Sequence, residues 1–362
     1  MAEMQHRCGT WVETHPENLR WSNATQIMKG MVQYNATSPE QMDRIARRMQ
    51  ARFRAGEDQD KVWREEWCRM AQWNEKQADQ AAAEGRHMSA GNFYLRAGNY
   101  YYSGERFVPP GEEKMAIYRK ALRCYRAGIE RRYPRIERVD VPYEKSALCA
   151  YFLKGEGVTG KAPTLVIFNG MDNCKEMNVI FAGLEFSRRG MHVLAVDGPG
   201  QGETLRMNNI ASRPDYEVAG SAAFDYLAKR PEVDLKRVTV MGYSFGGYLA
   251  PRIAGFEKRY AGCVAFGAMH WDLHGWQKEI KDKLARDAKT SFSSVFQFRW
   301  VVGAPDNDTA MEWAKKFTLE GVADKIQCPV LVMHGANDRI VPVAETVEEA
   351  AAALAAASES NG

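Results

Sequence analysis

Residues 238–252 read VTVMGYSFGGYLAPR, and Gly242-Tyr243-Ser244-Phe245-Gly246 within them is a G-x-S-x-G pentapeptide. A serine hydroxyl attacks a carbonyl only where the surroundings activate and expose it. This serine follows an apolar run and precedes a helical pattern, a context in which a sharp strand-to-helix turn projects Oγ above a sheet. Small residues at 242 and 246 let strand and helix approach closely. The helix N-terminus favours developing negative charge, and the Phe245 N–H is placed to donate to an oxyanion. A glycine-rich turn without chemistry is the bland alternative, and the flanking strand and helix patterns weigh against it.

Three further stretches could serve such a nucleophile. FNGMDNCKE (168–176) follows an apolar run. A loop there supplies a second oxyanion N–H in enzymes built this way, which predicts Met171 or Asp172 as donor. HGANDRIVPV (334–343) places Asn337-Asp338 after another apolar run. Asp338 is the candidate acid that orients an imidazole and stabilises its cation, with a plain loop aspartate as the alternative. VDGPGQGET (196–204) carries Gly198, Gly200 and Gly202 two residues apart with Pro199 between them. Dinucleotide binding needs a different glycine spacing, so this stretch reads as a structural or pocket-edge loop. No cofactor or metal is expected. His270 and His274 follow the run that ends at Ala268, and Asp272 between them is a secondary candidate acid on the expected cleft rim.

The elements that must hold these residues alternate in type. Short apolar runs at 163–170, 191–198, 237–244, 261–268 and 328–339 are separated by helical patterns near 175–189, near 214–229 and from 245. That rhythm predicts a mostly parallel sheet buried on both faces. IERVDVPYE and SALCAYFLK ahead of it read as an antiparallel strand pair. Residues 1–133 read as a helical domain, with helices over 38–55, 59–84, 87–107 and 112–131. Val62, Trp63, Trp67, Met70, Ala71 and Trp73 suggest one broad buried stripe. Ala90-Gly91-Asn92 recurs as Ala97-Gly98-Asn99, and Tyr94 as Tyr101, a step that keeps these groups on one helix face. That aromatic stripe is expected to pack rather than line a ligand site. Residues 134–268 and 325–362 form the α/β core, and 269–324 a helical lid insertion.

Together these residues resemble the α/β-hydrolase superfamily. More narrowly they resemble the FrsA-like esterases and the dihydroxypseudooxynicotine hydrolase group. The narrower likeness rests on SAGNFYLRAGNYYYSGERF followed by EEKMAIYRKALRCYRAGIE, and on TLVIFNGMDNCKEM, VLAVDGPGQGET and VMGYSFGGYLAPR. It covers about residues 60–343. The resemblance implies Ser244 as nucleophile, Asp338 as acid and backbone donors at Phe245 and near Met171. It also implies a helical lid or leader, often a dimer, and cleavage of esters or of carbon–carbon bonds beside a carbonyl without a cofactor. The Ser-then-Asp order agrees with that superfamily.

The resemblance further implies a histidine on a loop beyond the acid, yet no histidine follows His334, and the chain closes on ETVEEAAAALAAASESNG. The leading expectation is a truncated or altered copy of a full hydrolase. A base from elsewhere (His270, His274 or His334) and a homologue that has lost hydrolysis and binds a ligand are the alternatives. Composition narrows the setting. The 362 residues are 45% hydrophobic with a net charge of +3. That gives no reason to invoke nucleic acid or a membrane surface. No run is long and apolar enough for a membrane span, and the first residues lack a secretory h-region. The seven cysteines are scattered, without a CxxC pair, as in a reducing cytoplasm. Aromatics at 93–102 and at Trp271, Trp276 and Trp300 hint at an apolar or aromatic ester or ketone, although core packing explains them equally well.

Overall fold

The computed structural model describes residues 13–171, 173–267, 271–286, 296–336, 338 and 341. Two compact units divide the chain, Met1–Pro134 with Ile280–Phe296, and Arg135–Glu279 with Gln297–Gly362.

The first unit carries α1 (Leu19–Lys29), α2 (Pro39–Arg54), α3 (Gln59–Ala83), α4 (His87–Gly104) and α5 (Glu112–Arg132). Local chemistry sets the helix starts. Asn18 accepts from the Trp21 N–H, Asp58 accepts from the Lys61 N–H, and Pro39 begins α2. The glycines of the seven-residue step in α4 face α5, while Tyr94 and Tyr101 donate to Asp79 and Glu75 of α3. A Cβ on Gly98 would lie 2.8 Å from the Tyr125 ring, so that position must be small for the helices to meet. Asn99 donates to the Ala36 carbonyl and accepts from the Tyr125 hydroxyl. Tyr100, Tyr101 and Tyr102 are buried, so these aromatics pack the unit. Trp63 and Trp67 are fully buried, but Trp73 departs from the expected stripe at 47% exposed. Its ring meets Phe93 edge-on instead.

The second unit is built on a seven-stranded sheet of order β1-β2-β4-β3-β5-β6-β7. The strands are β1 (Ile136–Tyr143), β2 (Ser146–Leu153), β3 (Ala162–Phe168), β4 (His192–Asp197), β5 (Val233–Tyr243), β6 (Gly262–Phe266) and β7 (Val330–Met333). β1 and β2 form the expected hairpin, β2 runs antiparallel to β4, and β3 to β7 are parallel to one another. Every residue of β4 is buried, as expected of a strand covered on both faces. The segment expected as one helix at 175–189 is α6 (Lys175–Asn178), a π-wound turn at Val179–Gly183 and α7 (Leu184–Arg188). α8 (Gly202–Asn208), α9 (Glu217–Ala228) and α10 (Gly246–Phe256) complete the crossovers. The interrupting region carries α11 (Leu273–Arg286), whose residues from Ile280 onward fall in the first unit, and, in this unit, α12 (Gln297–Val302) and α13 (Asn307–Ala314). Phe298, Val301, Ala310 and Phe317 join the core cluster of the sheet. The alanine-rich residues 342–362 lie outside the described residues.

Candidate active site

Strand register brings the candidate loops to one edge. Phe168 pairs with Gly242, Tyr243 with Phe266, and Phe266 with Met333. Residues 169–171, Ser244 and residues 334–336 therefore leave the sheet together at its carboxyl ends, where open α/β sheets bind ligands. Neighbouring strands lie about 4.8 Å apart, so β5 and β7, two strands apart, are separated by roughly 10 Å.

Ser244 sits in left-handed backbone at φ +55°, a conformation that L-residues other than glycine rarely adopt. Its N–H donates to the Phe266 carbonyl at 3.0 Å, and its carbonyl accepts from the Gly247 N–H at 2.7 Å. The side chain is exposed while Phe245 beside it is buried. Two glycines make this turn possible. A Cβ on Gly242 would fall 2.0 Å from the Gly246 carbonyl oxygen, and one on Gly246 would fall 2.9 Å from the Asn169 carbonyl oxygen. Opposite the serine, a Cβ on Gly170 would lie 3.1 Å from Ser244 Cβ and 3.5 Å from its Oγ. The loop after β3 thus passes directly against the candidate nucleophile.

The Phe245 N–H stands at the mouth of α10, where first-turn amides have no intrahelical acceptor. Met171 is buried, and its carbonyl accepts from Gln297 Nε2 at 3.4 Å, so α12 braces the other candidate donor. Asp172 lies outside the described residues, as does His270.

Asp338 follows β7 in a closed turn. Its N–H donates to the Gly335 carbonyl at 3.0 Å, and its Oδ1 accepts from the Val341 N–H at 3.1 Å. His334 closes the same turn, with Nε2 2.7 Å from the Val341 carbonyl oxygen. A carbonyl only accepts, so Nε2 carries the proton in this contact. Asp272 is exposed, and its Oδ1 accepts from the His274 N–H at 3.0 Å at the start of α11. That bond is a helix-start contact. His192, in β4, accepts from the Gly155 N–H at Nδ1 and meets the Glu232 carbonyl at Nε2, so both its nitrogens serve the fold.

A buried polar cluster behind the 168–176 loop escaped the sequence reading. The glycines of 196–204 are indeed structural: a Cβ on Gly202 would fall 2.1 Å from Asp197 Oδ2, and one on Gly198 would fall 2.1 Å from the Tyr216 hydroxyl oxygen. The polar residues between them do more. Lys175, fully buried, donates through Nζ to Glu176, Asp197 and Glu203 at 2.6, 3.2 and 2.6 Å. Arg138 donates to the other oxygen of Glu203 at 3.2 Å. Burial pushes the Glu176 carboxyl above its usual value despite Lys175. One signal was available in the sequence. Lys, Glu and Asp stand beside short turns of a sheet buried on both faces, where charges must be paired.

Residues 52–346 match the family described as FrsA-like esterases. The α/β hydrolase xenA of Xenoacremonium sinensis is 28% identical over 314 residues, covering 75% of this chain and 72% of its own. The 2,6-dihydropseudooxynicotine hydrolase of Paenarthrobacter nicotinovorans is 26% identical over 279 residues, covering 77% and 72%. The crystal structure of a 2,6-dihydroxy-pseudo-oxynicotine hydrolase matches with a TM-score of 0.70 at 21% identity, over 90% of this chain and 85% of that one. The structural match is a likeness of fold.

Proposed function

The chain belongs to the FrsA-like esterase family of α/β-hydrolases, and on that premise we propose that Ser244 is the nucleophile of a serine hydrolase. The substrate is a carboxylic ester, or a ketone beside the carbon–carbon bond to be cleaved, with an apolar or aromatic body. Ser244 Oγ attacks the carbonyl carbon, and its proton passes to a base. The tetrahedral oxyanion is held by the Phe245 N–H and an N–H of residues 171–172. Collapse expels the alcohol, or the carbon fragment with a proton, and leaves an acyl-enzyme that water hydrolyses. Asp338 is the acid of the turn after β7; no histidine follows it in residues 339–362, so the base that takes the Ser244 proton is hydroxide. The left-handed backbone of Ser244, wedged between Gly242 and Gly246, carries this reading. A non-glycine residue in that conformation costs about 1–3 kcal/mol, which a turn without chemistry would shed by using glycine.

The six described cysteines are free thiols, which suits a reducing cytoplasm, and a homodimer belongs to the same reading. Among the described residues, no helix is long and apolar enough to cross a membrane.

A fluorophosphonate probe tests the proposal. Labelling of the wild type, mapped to the peptide around Ser244 and lost in Ser244→Ala, supports the hydrolase. A folded wild-type protein that stays unlabelled favours a silent ligand-binding homologue.

A further inference from the structure

We propose that the buried polar cluster centred on Asp197 and Gln201 positions residues 169–171 and 173 against Ser244, making its members positioning residues for acyl transfer. This rests on the reading of Ser244 as nucleophile.

Surrounding side chains hold this segment at four residues, 169, 171, 173 and 175. At Asn169, Gln201 accepts from the backbone N–H at 3.3 Å and donates to the carbonyl. The Asn169 side chain donates to Asp197 Oδ1 at 2.5 Å and accepts from Asn178. Met171 is held through its carbonyl by Gln297. The Asn173 side chain donates to the Tyr243 hydroxyl, which donates to Asn178 at 2.7 Å. The Lys175 N–H donates to Asp197 Oδ1 at 2.6 Å. Asp197 also accepts from the Glu203 N–H at 2.8 Å, and its carbonyl accepts from the Thr204 hydroxyl at 2.5 Å. Between the clamps at 169 and 173 lies Gly170, in contact with Ser244. The same chain of bonds reaches Tyr243, the residue before the nucleophile, so both partners in the contact share one scaffold.

Stability alone does not account for such a cluster. Removing charges from water costs several kcal/mol per ion, and apolar residues of similar volume often replace a buried ion cluster without loss. Fixed geometry is what apolar packing cannot supply, because directional bonds hold backbone amides at set angles. An oxyanion donor is the kind of group that needs it: a displacement near 1 Å can cost about 100-fold in rate.

Gln201→Glu keeps the shape and the acceptor for the Asn169 N–H but cannot donate to the Asn169 carbonyl. Tyr243→Phe removes only the hydroxyl that joins Asn173 to Asn178. Each is compared with wild type and Ser244→Ala for melting temperature, fluorophosphonate labelling rate and affinity for a trifluoromethyl ketone that adds to the serine. We expect folded variants whose labelling rate falls about 10- to 100-fold, with ketone affinity falling in parallel, since both reactions place an oxyanion in the hole. A merely structural role would lower the melting temperature while folded molecules still label at the wild-type rate, and that result overturns the inference. If Gln201→Glu does not fold, Tyr243→Phe decides by the same measures. Wild-type protein that fails to label at Ser244 removes the nucleophile itself, and the inference falls with it. Labelling that is intact in the wild type and unchanged in both variants removes the inference alone.

Discussion

Gly242→Ala tests the turn that presents Ser244. The added Cβ would sit 2.0 Å from the Gly246 carbonyl oxygen, 2.5 Å from its carbonyl carbon and 2.9 Å from its Cα. Ordinary contact begins near 3.4 Å, so β5 and α10 must part by about 1.4 Å at their junction. All three atoms are backbone, so no side chain can swing away to absorb the methyl. Overpacking of this kind costs about 1–3 kcal/mol. For a unit of this size each kcal/mol lowers Tm by about 2–4 °C, giving a drop of about 2–12 °C. The shift passes straight to Ser244 and the Phe245 N–H, so the labelling rate should fall about 100-fold in molecules that remain folded. Differential scanning fluorimetry and timed fluorophosphonate labelling measure the two effects. Gly160→Ala, where a Cβ meets nothing within 4 Å, is the control and should move Tm by little. A Gly242→Ala protein with unchanged Tm and labelling rate would refute the close approach of strand and helix at this turn.

Three further outcomes follow from the same structure. At φ +55° Ser244→Gly should be at least as stable as Ser244→Ala, reversing the usual order in which glycine loses about 0.4–1 kcal/mol through the unfolded chain; thermal melts that show the glycine variant lower by that amount would contradict the left-handed backbone. Burial raises the Glu176 carboxyl above 4.5, so the stability it contributes is complete below that value and declines as pH rises toward the raised folded value; Glu176→Gln cannot titrate, and its Tm should gain on wild type as pH rises above 4.5, whereas a wild type that gains on the variant would mean the ionised form is favoured. In the helical unit Lys114 and Glu105 pair with both side chains 1% exposed, and Lys114 also donates to the Glu105 and Val108 carbonyls; Lys114→Met removes these buried contacts and should lower stability by about 1–3 kcal/mol in urea denaturation, and an unchanged stability would contradict them.

Which parts of this molecule could be read from its sequence follows from range. The parallel strands were legible because each carries its signal locally, as a short apolar run between helical patterns. The serine turn was legible because strand, glycine spacing and helix all fall within residues 238–252. Trp73 was misread because periodicity reports a helix face and not where the neighbouring helix stops covering it. The π turn at Val179–Gly183 left no pattern, since one extra residue per turn hardly shifts an apolar stripe over so short a segment. The Asp197–Gln201–Lys175 cluster was hidden for another reason. Its members come from two loops whose meeting depends on β3 and β4 lying side by side. Asp338 and His334 fall in one turn as the sequence suggested, but only the coordinates reveal that His334 Nε2 is committed to the Val341 carbonyl.

The base follows the same logic. A histidine base makes the acylation rate level off near its own pKa, about 6.5 when unperturbed, whereas attack without one rises with hydroxide across neutral pH. For this chain we expect the second profile, a slow rate, and near wild-type rates in His270→Ala, His274→Ala and His334→Ala. A plateau near neutrality that is lost in one of these variants would identify that histidine as the base.

The most direct measurement of the central claim is the mass of the protein quenched after exposure to p-nitrophenyl acetate, with the modified peptide sequenced. An acetyl group on Ser244, absent from Ser244→Ala, is the predicted result. Folded wild-type protein that carries no acetyl group on Ser244, or that carries it equally in the alanine variant, would contradict a nucleophile at this turn.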